Sequence, residues 1–182
     1  MRLFVGIDVG SLAGEIRSVQ APLTGLKGVR TTDPENAHAT VKFLGESEHD
    51  LEALEAAIER AIADAGVGPF EASLEGVGAF PSAEYIRVVW LGFRDGTKPI
   101  ETLHRRVEAE TTDLGYDAER HAFTPHVTLA RMDNAASKEG VQRFLRESNP
   151  EVGPVRTEAL RLKESTLTPE GPEYRTVRRF EL

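Results

Sequence analysis

Short stretches of alternating apolar and polar residues recur along this chain, and stretches of helical period lie between them. Arg2 to Asp8 alternates among β-favouring residues and predicts a strand. Leu12 to Leu23 is weakly amphipathic, has Pro22 near its end, and predicts a helix. Thr31 to Asn36 is a polar turn broken at Asp33-Pro34, and His38 to Leu44 is a strand. Ser47 and Asp50 have capping-box spacing. The helix that follows carries Leu51, Leu54, Ile58, Ala61, Ile62 and Ala65 on one face, and Gly66 and Gly68 stop it. Phe70 to Val77 and Tyr85 to Phe93 read as a hairpin, with Pro81 and Ser82 in the connection. Thr97 to Gly115 is a second amphipathic helix with Ile100, Leu103, Val107, Thr111 and Leu114 buried. A strand at Phe123 to Arg131, a short helix at Ser137 to Glu147, and strands at Val155 to Glu164 and Tyr174 to Leu182 complete the chain.

The order strand, helix, strand, strand starts at His38 and starts again at His126. The two histidines are 88 positions apart, and Tyr85 and Tyr174 are 89 apart. A near-constant offset points to an internal duplication, with units at about 38–93 and 126–182 inside one domain spanning 1–182. Two similar lobes facing each other place matching residues on both walls of one cleft.

Composition narrows the chemistry. The chain has 182 residues, 22 basic and 30 acidic, for a formal charge of −8. That length fits one domain. No cysteine is present, which excludes disulfides, thiolate metal sites and thiol nucleophiles. No apolar run is long enough to span a membrane, and the apolar N-terminal run ends too soon, at Asp8, for a signal peptide. A cytoplasmic protein is therefore expected. The acidic balance argues against a broad surface coating nucleic acid through many phosphates, yet allows recognition of one phosphate in a cleft.

The motif that carries chemistry opens both units. His38-Ala39-Thr40 and His126-Val127-Thr128 each place His and Thr two apart on a strand, hence on one face. Ala39, Val41 and Phe43, like Val127 and Leu129, are expected to point to the core. Strict alternation puts Lys42 on the face of His38 and Thr40, where it could meet a substrate phosphate. It puts Arg131 on the opposite face from His126 and Thr128 unless the strand ends or bulges; from the rim it could still bind a substrate phosphate. Two facing imidazoles suit phosphodiester chemistry, because one can accept a proton while the other donates one. Each Thr hydroxyl can donate to a phosphate oxygen. A zinc site is the competing reading, but neither motif contains an Asp or Glu to complete a ligand set. Tyr85 and Tyr174 could stack on bases, though ordinary strand packing is the better reading of both; Trp90 reads as core; His49, His104 and His121 read as surface residues.

The pattern resembles the RNA 2′,3′-cyclic phosphodiesterases, also called 2′-5′ RNA ligases, of the two-histidine phosphoesterase superfamily. The resemblance runs through Arg2-Leu3-Phe4-Val5-Gly6-Ile7-Asp8, the two His-x-Thr segments, Gly76-Val77-Gly78-Ala79-Phe80-Pro81 and Ser165 to Tyr174. It implies a bilobal α+β fold, with two antiparallel-sheet-plus-helix lobes related by a pseudo-two-fold and a central cleft. It implies hydrolysis of RNA or nucleoside 2′,3′-cyclic phosphate ends to a 2′-phosphate without metal or cofactor. His38 and His126 would be catalytic, and Thr40 and Thr128 would hold the phosphate. RNA or oligonucleotide ends are the expected partners, and a monomer is the default. Two alternatives stand beside this: 2′-5′ ligation as the main activity, and a non-catalytic RNA- or nucleotide-binding module.

Overall fold

The computed structural model describes every residue except His49 and Glu170. The expected role of His49 as a surface residue therefore lies outside the described residues. Nine strands occur among the described residues: β1 Arg2–Asp8, β2 Val29–Thr31, β3 His38–Glu46, β4 Phe70–Pro81, β5 Ile86–Phe93, β6 His126–Met132, β7 Glu151–Thr157, β8 Ala159–Thr168 and β9 Gly171–Glu181. The α-helices are α1 Ala13–Gln20, α2 Leu51–Ala65, α3 Thr97–Asp113 and α4 Lys138–Glu147. None is long and apolar enough to cross a membrane.

All strand pairs are antiparallel, and the sheet runs β7-β4-β5-β6-β3-β1-β8-β9, with β2 added to β6. The order reads alike from either end of the central pair. β3 matches β6, β1 matches β5, β8 matches β4 and β9 matches β7, which is a pseudo-two-fold. Each half has its own core. Leu3, Val5, Ile7 and Leu160 pack with Leu54 and Ile58 of α2 and with Ile100, Leu103 and Val107 of α3. Leu74, Val89, Leu91, Val127 and Leu129 pack with Ile16 of α1 and with Val141 and Phe144 of α4. The helices cover one face of the curled sheet, and the other face is left for the cleft.

The two lobes draw on both repeat spans. β4 and β5 fall in the 38–93 span but lie in the lobe of β6; β8 and β9 fall in the 126–182 span but lie beside β1. α1 likewise crosses to the β6 lobe and α3 to the β3 lobe.

Local chemistry explains the boundaries. Asp50, not Ser47, caps α2: its carboxylate accepts from the Glu52 N–H, as short acidic N-caps do. Ser47 instead pairs its hydroxyl with that of Tyr116 at 2.5 Å. Gly66 ends α2 in the left-handed region, at φ 61°, which a residue without Cβ adopts freely. The expected strand from Val155 to Glu164 is two strands, because the chain leaves β4 at Thr157, pairs with β9 from Ala159 and joins β1 from Arg161.

Candidate active site

β3 and β6 meet at the centre of the sheet, where Ala39 faces Val127. One step either way in an antiparallel register sets His38 opposite Thr128 and Thr40 opposite His126. Residues opposite each other share a face, so the two motifs form a square. The histidines occupy one diagonal and the threonines the other. Diagonal neighbours across such a pair are roughly 7–8 Å apart, enough to admit a phosphate between the rings. All four side chains are half-buried, while Ala39 and Val127 are buried on the helix side. An open cleft of about 910 Å³ is lined by His38, Thr40, Thr128, Arg131 and Tyr174, among others. His126 stands at its edge, opposite Thr40.

Backbone carbonyls orient both rings in the same way. His38 Nδ1 lies 2.8 Å from the Asn36 carbonyl, and His126 Nδ1 lies 2.7 Å from the Thr124 carbonyl. A carbonyl oxygen only accepts, so each Nδ1 carries the hydrogen and each Nε2 is left for proton exchange. Aromatic rings fix the remaining freedom. His38 stacks on Phe4 at 4.8 Å and meets Tyr174 edge-on at 5.1 Å. His126 meets Phe80 edge-on at 4.9 Å and lies 6.0 Å from Trp90. Trp90 lies so close over Gly78 that a Cβ there would be 2.2 Å from the indole; only glycine fits under the ring. The Trp90 Nε1 is buried without an acceptor.

Burial disfavours the imidazolium and lowers both histidine pKa values below the ordinary value. For His38 the Asn36 hydrogen bond opposes this, Lys163 lowers it further, Asp8 raises it and Arg131 lowers it. For His126 the Thr124 bond opposes burial and Arg131 adds to it. The surroundings differ in one respect. Asp8 faces His38 across β1 and is itself held by Arg161 at 2.6 Å and Lys163 at 2.8 Å, whereas Gly92 faces His126.

A β-bulge in each motif strand corrects two of the expectations. On β3, Lys42 pairs with Val5 and Thr40 with Gly6, so Val41 is the extra residue. On β6, Ala130 pairs with Val89 and Thr128 with Trp90, so Leu129 is the extra residue. An extra residue reverses the alternation beyond it. Lys42 therefore leaves the face of His38: its ammonium is buried on the helix side, 2.6 Å from Glu108 and 2.7 Å from the Asp117 carbonyl. Phe43, expected in the core, is 48% exposed. Arg131 turns the other way, into the cleft with Thr128, where its charge acts on both histidines.

The bulged carbonyls are held by two buried side chains, His104 and Gln20. His104 on α3 donates from Nδ1 to the Val41 carbonyl at 2.7 Å and stacks on Phe123 at 3.8 Å. It is therefore not a surface residue; His121 is exposed as expected. Gln20, at the end of α1, donates from Nε2 to the Leu129 carbonyl at 2.9 Å and to the Thr32 carbonyl at 2.9 Å. α1 and α3 are pseudo-equivalent, so each lobe steadies its bulge with a polar residue from the corresponding helix. A lone Gln at the end of an apolar stripe was the available signal. Tyr174 lies in the cleft against His38, Tyr85 is 58% exposed outside it, and Trp90 sits beside His126 instead of in the core. Among the described residues, no group of three or more His, Asp or Glu is placed to hold a metal ion.

Comparison with known proteins supplies the family and the fold. The RNA 2′,3′-cyclic phosphodiesterase of Archaeoglobus fulgidus is 36% identical over 100% of both chains. That of Aeropyrum pernix is 37% identical over 82% of this chain and 84% of its own. In fold, a crystal structure from Thermus thermophilus matches with a TM-score of 0.79 at 26% identity, covering 100% of this chain and 98% of that one. Escherichia coli LigT, in complex with 3′-AMP, matches with 0.77 at 23% identity, covering 100% and 97%. The sequence profile of the 2′-5′ RNA ligase superfamily matches residues 10–163. A chain with two His-x-Thr strands crossing in one cleft, and with this profile over most of its length, belongs to the 2′-5′ RNA ligase superfamily.

Proposed function

We propose that the protein hydrolyses 2′,3′-cyclic phosphate ends of RNA to 2′-phosphates by paired histidine acid–base catalysis. The observation that carries this reading is the square of His38, Thr128, Thr40 and His126, with both Nδ1 atoms tied to carbonyls. Displacement at phosphorus is in line, so the attacking and leaving oxygens lie on opposite sides of the phosphorus. Two proton carriers on one diagonal meet that demand. One Nε2 takes a proton from water as its oxygen bonds to phosphorus. The other Nε2 gives a proton to O3′ as the P–O3′ bond breaks. The product is a 2′-phosphate with a free 3′-hydroxyl, and the two rings have exchanged protonation states. The Thr40 and Thr128 hydroxyls donate to the non-bridging oxygens, where charge builds in the transition state. The Arg131 guanidinium, turned in by the Leu129 bulge, offsets the phosphate charge. The chemistry needs no metal ion in this scheme.

The relatives named as RNA 2′,3′-cyclic phosphodiesterases support the substrate class. A 5′-hydroxyl of RNA in place of the water gives a 2′-5′ linkage from the same arrangement. The test is product analysis on an oligonucleotide ending in a cyclic phosphate, with and without a 5′-hydroxyl partner strand. A 2′-phosphate product is expected, and His38→Ala or His126→Ala should each lower the rate about 10²-fold or more. Activity of both variants within a few-fold of wild type overturns the mechanism. Tight binding with no turnover of any cyclic phosphate supports a binding module instead.

A further inference from the structure

A second cavity of about 500 Å³ is lined by Arg30, Tyr85, Arg87, Arg131, Asp133 and Lys138, among others. Arg30 and Arg131 line both this cavity and the catalytic cleft, so the two adjoin. Its volume suits a nucleotide. Its charge is also distinctive. Arg30 is tied to Asp133 through two hydrogen bonds of 2.7 Å, and Arg87, Arg131 and Lys138 still outnumber Glu84 in the rest of the lining, on a chain whose net charge is −8.

Tyr85 makes the cavity more than a basic patch. A tyrosine that is 58% exposed leaves much apolar ring in water. The Arg87 guanidinium lies 5.3 Å from the ring centroid on one face and donates to the Tyr85 hydroxyl at 2.9 Å. The ring is thereby held in place in the lining of the cavity. A fixed aromatic face beside cationic side chains is the arrangement that binds single-stranded nucleic acid, with the base on the ring and phosphates on the cations.

We propose that this cavity is a second nucleotide subsite. In it the base 5′ to the cyclic-phosphate nucleotide stacks on Tyr85, and the phosphate joining the two nucleotides lies near Arg131, at the border that the cavity shares with the cleft. The inference rests on the hydrolase reading above and deepens it: the substrate is an oligonucleotide end in preference to a mononucleotide. The phosphate of a terminal nucleoside sits in the square, its 5′ oxygen leads toward Arg131, and the next base reaches the ring. Selectivity is expected to appear in KM, because these contacts lie away from the reacting phosphorus and are made equally before and during reaction.

The test compares a 2′,3′-cyclic mononucleotide with a trinucleotide of the same terminal base, using the full chain. Wild type should show a lower KM for the trinucleotide. Tyr85→Ala should raise that KM roughly 5- to 30-fold, as loss of one stacked base does, and leave kcat and the mononucleotide constants unchanged. Tyr85→Phe should keep most of the preference, since the ring is retained. The trinucleotide KM should also rise more steeply with salt, by about one further phosphate contact. Equal KM values for both substrates in wild type, or an equal effect of Tyr85→Ala on both, overturns the subsite. If no cyclic phosphate is turned over, the hydrolase reading fails alone. The subsite is then decided by Kd for a 2′-phosphorylated trinucleotide, which must weaken by the same factor in Tyr85→Ala for the proposal to stand.

Discussion

Replacing Lys42 by Met distinguishes a structural lysine from one that grips substrate. The Lys42 ammonium is fully enclosed, 2.6 Å from Glu108 and 2.7 Å from the Asp117 carbonyl. The Glu108 contact lacks hydrogen-bond alignment, so it acts as an ion pair. Burial by itself would raise the Glu108 pKa; the Lys42 contact and the Glu119 N–H more than offset it, and the carboxyl ends below the ordinary value. Methionine fills the same space without charge. It leaves an acid beside the core and a carbonyl without its donor. Removing one partner of a buried pair costs about 3–5 kcal/mol. The Glu108 side chain keeps 21% exposure, so water recovers part of this, and about 2–4 kcal/mol is expected. That corresponds to a fall in Tm of about 5–12 °C for a domain of this size. Adding Glu108→Gln to Lys42→Met removes the stranded charge, keeps an acceptor for Glu119, and should restore about half of the loss. Thermal unfolding and steady-state kinetics on a cyclic-phosphate oligonucleotide, run together below the lowered Tm, supply both readouts. KM should stay within about twofold of wild type. A tenfold rise in KM with unchanged Tm would refute the bulge at Val41 and return Lys42 to the cleft.

Three further outcomes follow from the site. Burial lowers both histidine pKa values, so one neutral and one charged ring coexist only on the acid side of about pH 6.5. The kcat/KM profile should therefore be a bell that falls through neutrality, while kcat shifts upward in pH, because a bound phosphate favours the imidazolium; a kcat/KM plateau reaching about pH 8 contradicts this. Thr40→Val and Thr128→Val keep shape and remove one donor each, and should lower kcat about 10- to 100-fold with little change in KM; single-turnover rates equal to wild type would show that the hydroxyls do not touch the phosphate. Gln20→Leu removes one donor from the Leu129 carbonyl, which keeps the Thr32 N–H at 3.0 Å, at a cost of about 0.5–1.5 kcal/mol, and should also lower kcat, since Thr128 and Arg131 lie on either side of that bulge; a loss of Tm with unchanged kcat would make Gln20 purely structural.

The parts of the site that were legible in sequence are those that depend on neighbours two apart. His and Thr share a face at any point of a regular strand, so His38 with Thr40 and His126 with Thr128 could be read directly. Lys42 and Arg131 lie beyond the extra residue in each strand, and nothing in Val41 or Leu129 distinguishes a bulged valine or leucine from a paired one. The same device thus took a lysine out of the cleft and turned an arginine into it. Helix stripes were readable because apolar period decides them; the partners of His104 and Gln20 were not, because they are long-range carbonyls exposed only by the bulges. The β7–β8 break at Glu158 went unseen since both segments are β-rich, and the change of lobe depends on pairing with β4 and β1.

The exchange of strands and helices between the lobes governs how the molecule comes apart. The chain passes from one lobe to the other and back several times before it ends, so no cut near the middle yields a half that owns a complete core. The lobes should melt in a single transition, and a split at the loop before α3 should give two chains that fold only together. Because β3 and β6 lie where these passages converge, their amides belong to the last unit to exchange with solvent. A lace of this kind ties the two walls of the cleft to one another, so a strain placed on one lobe is carried into the other.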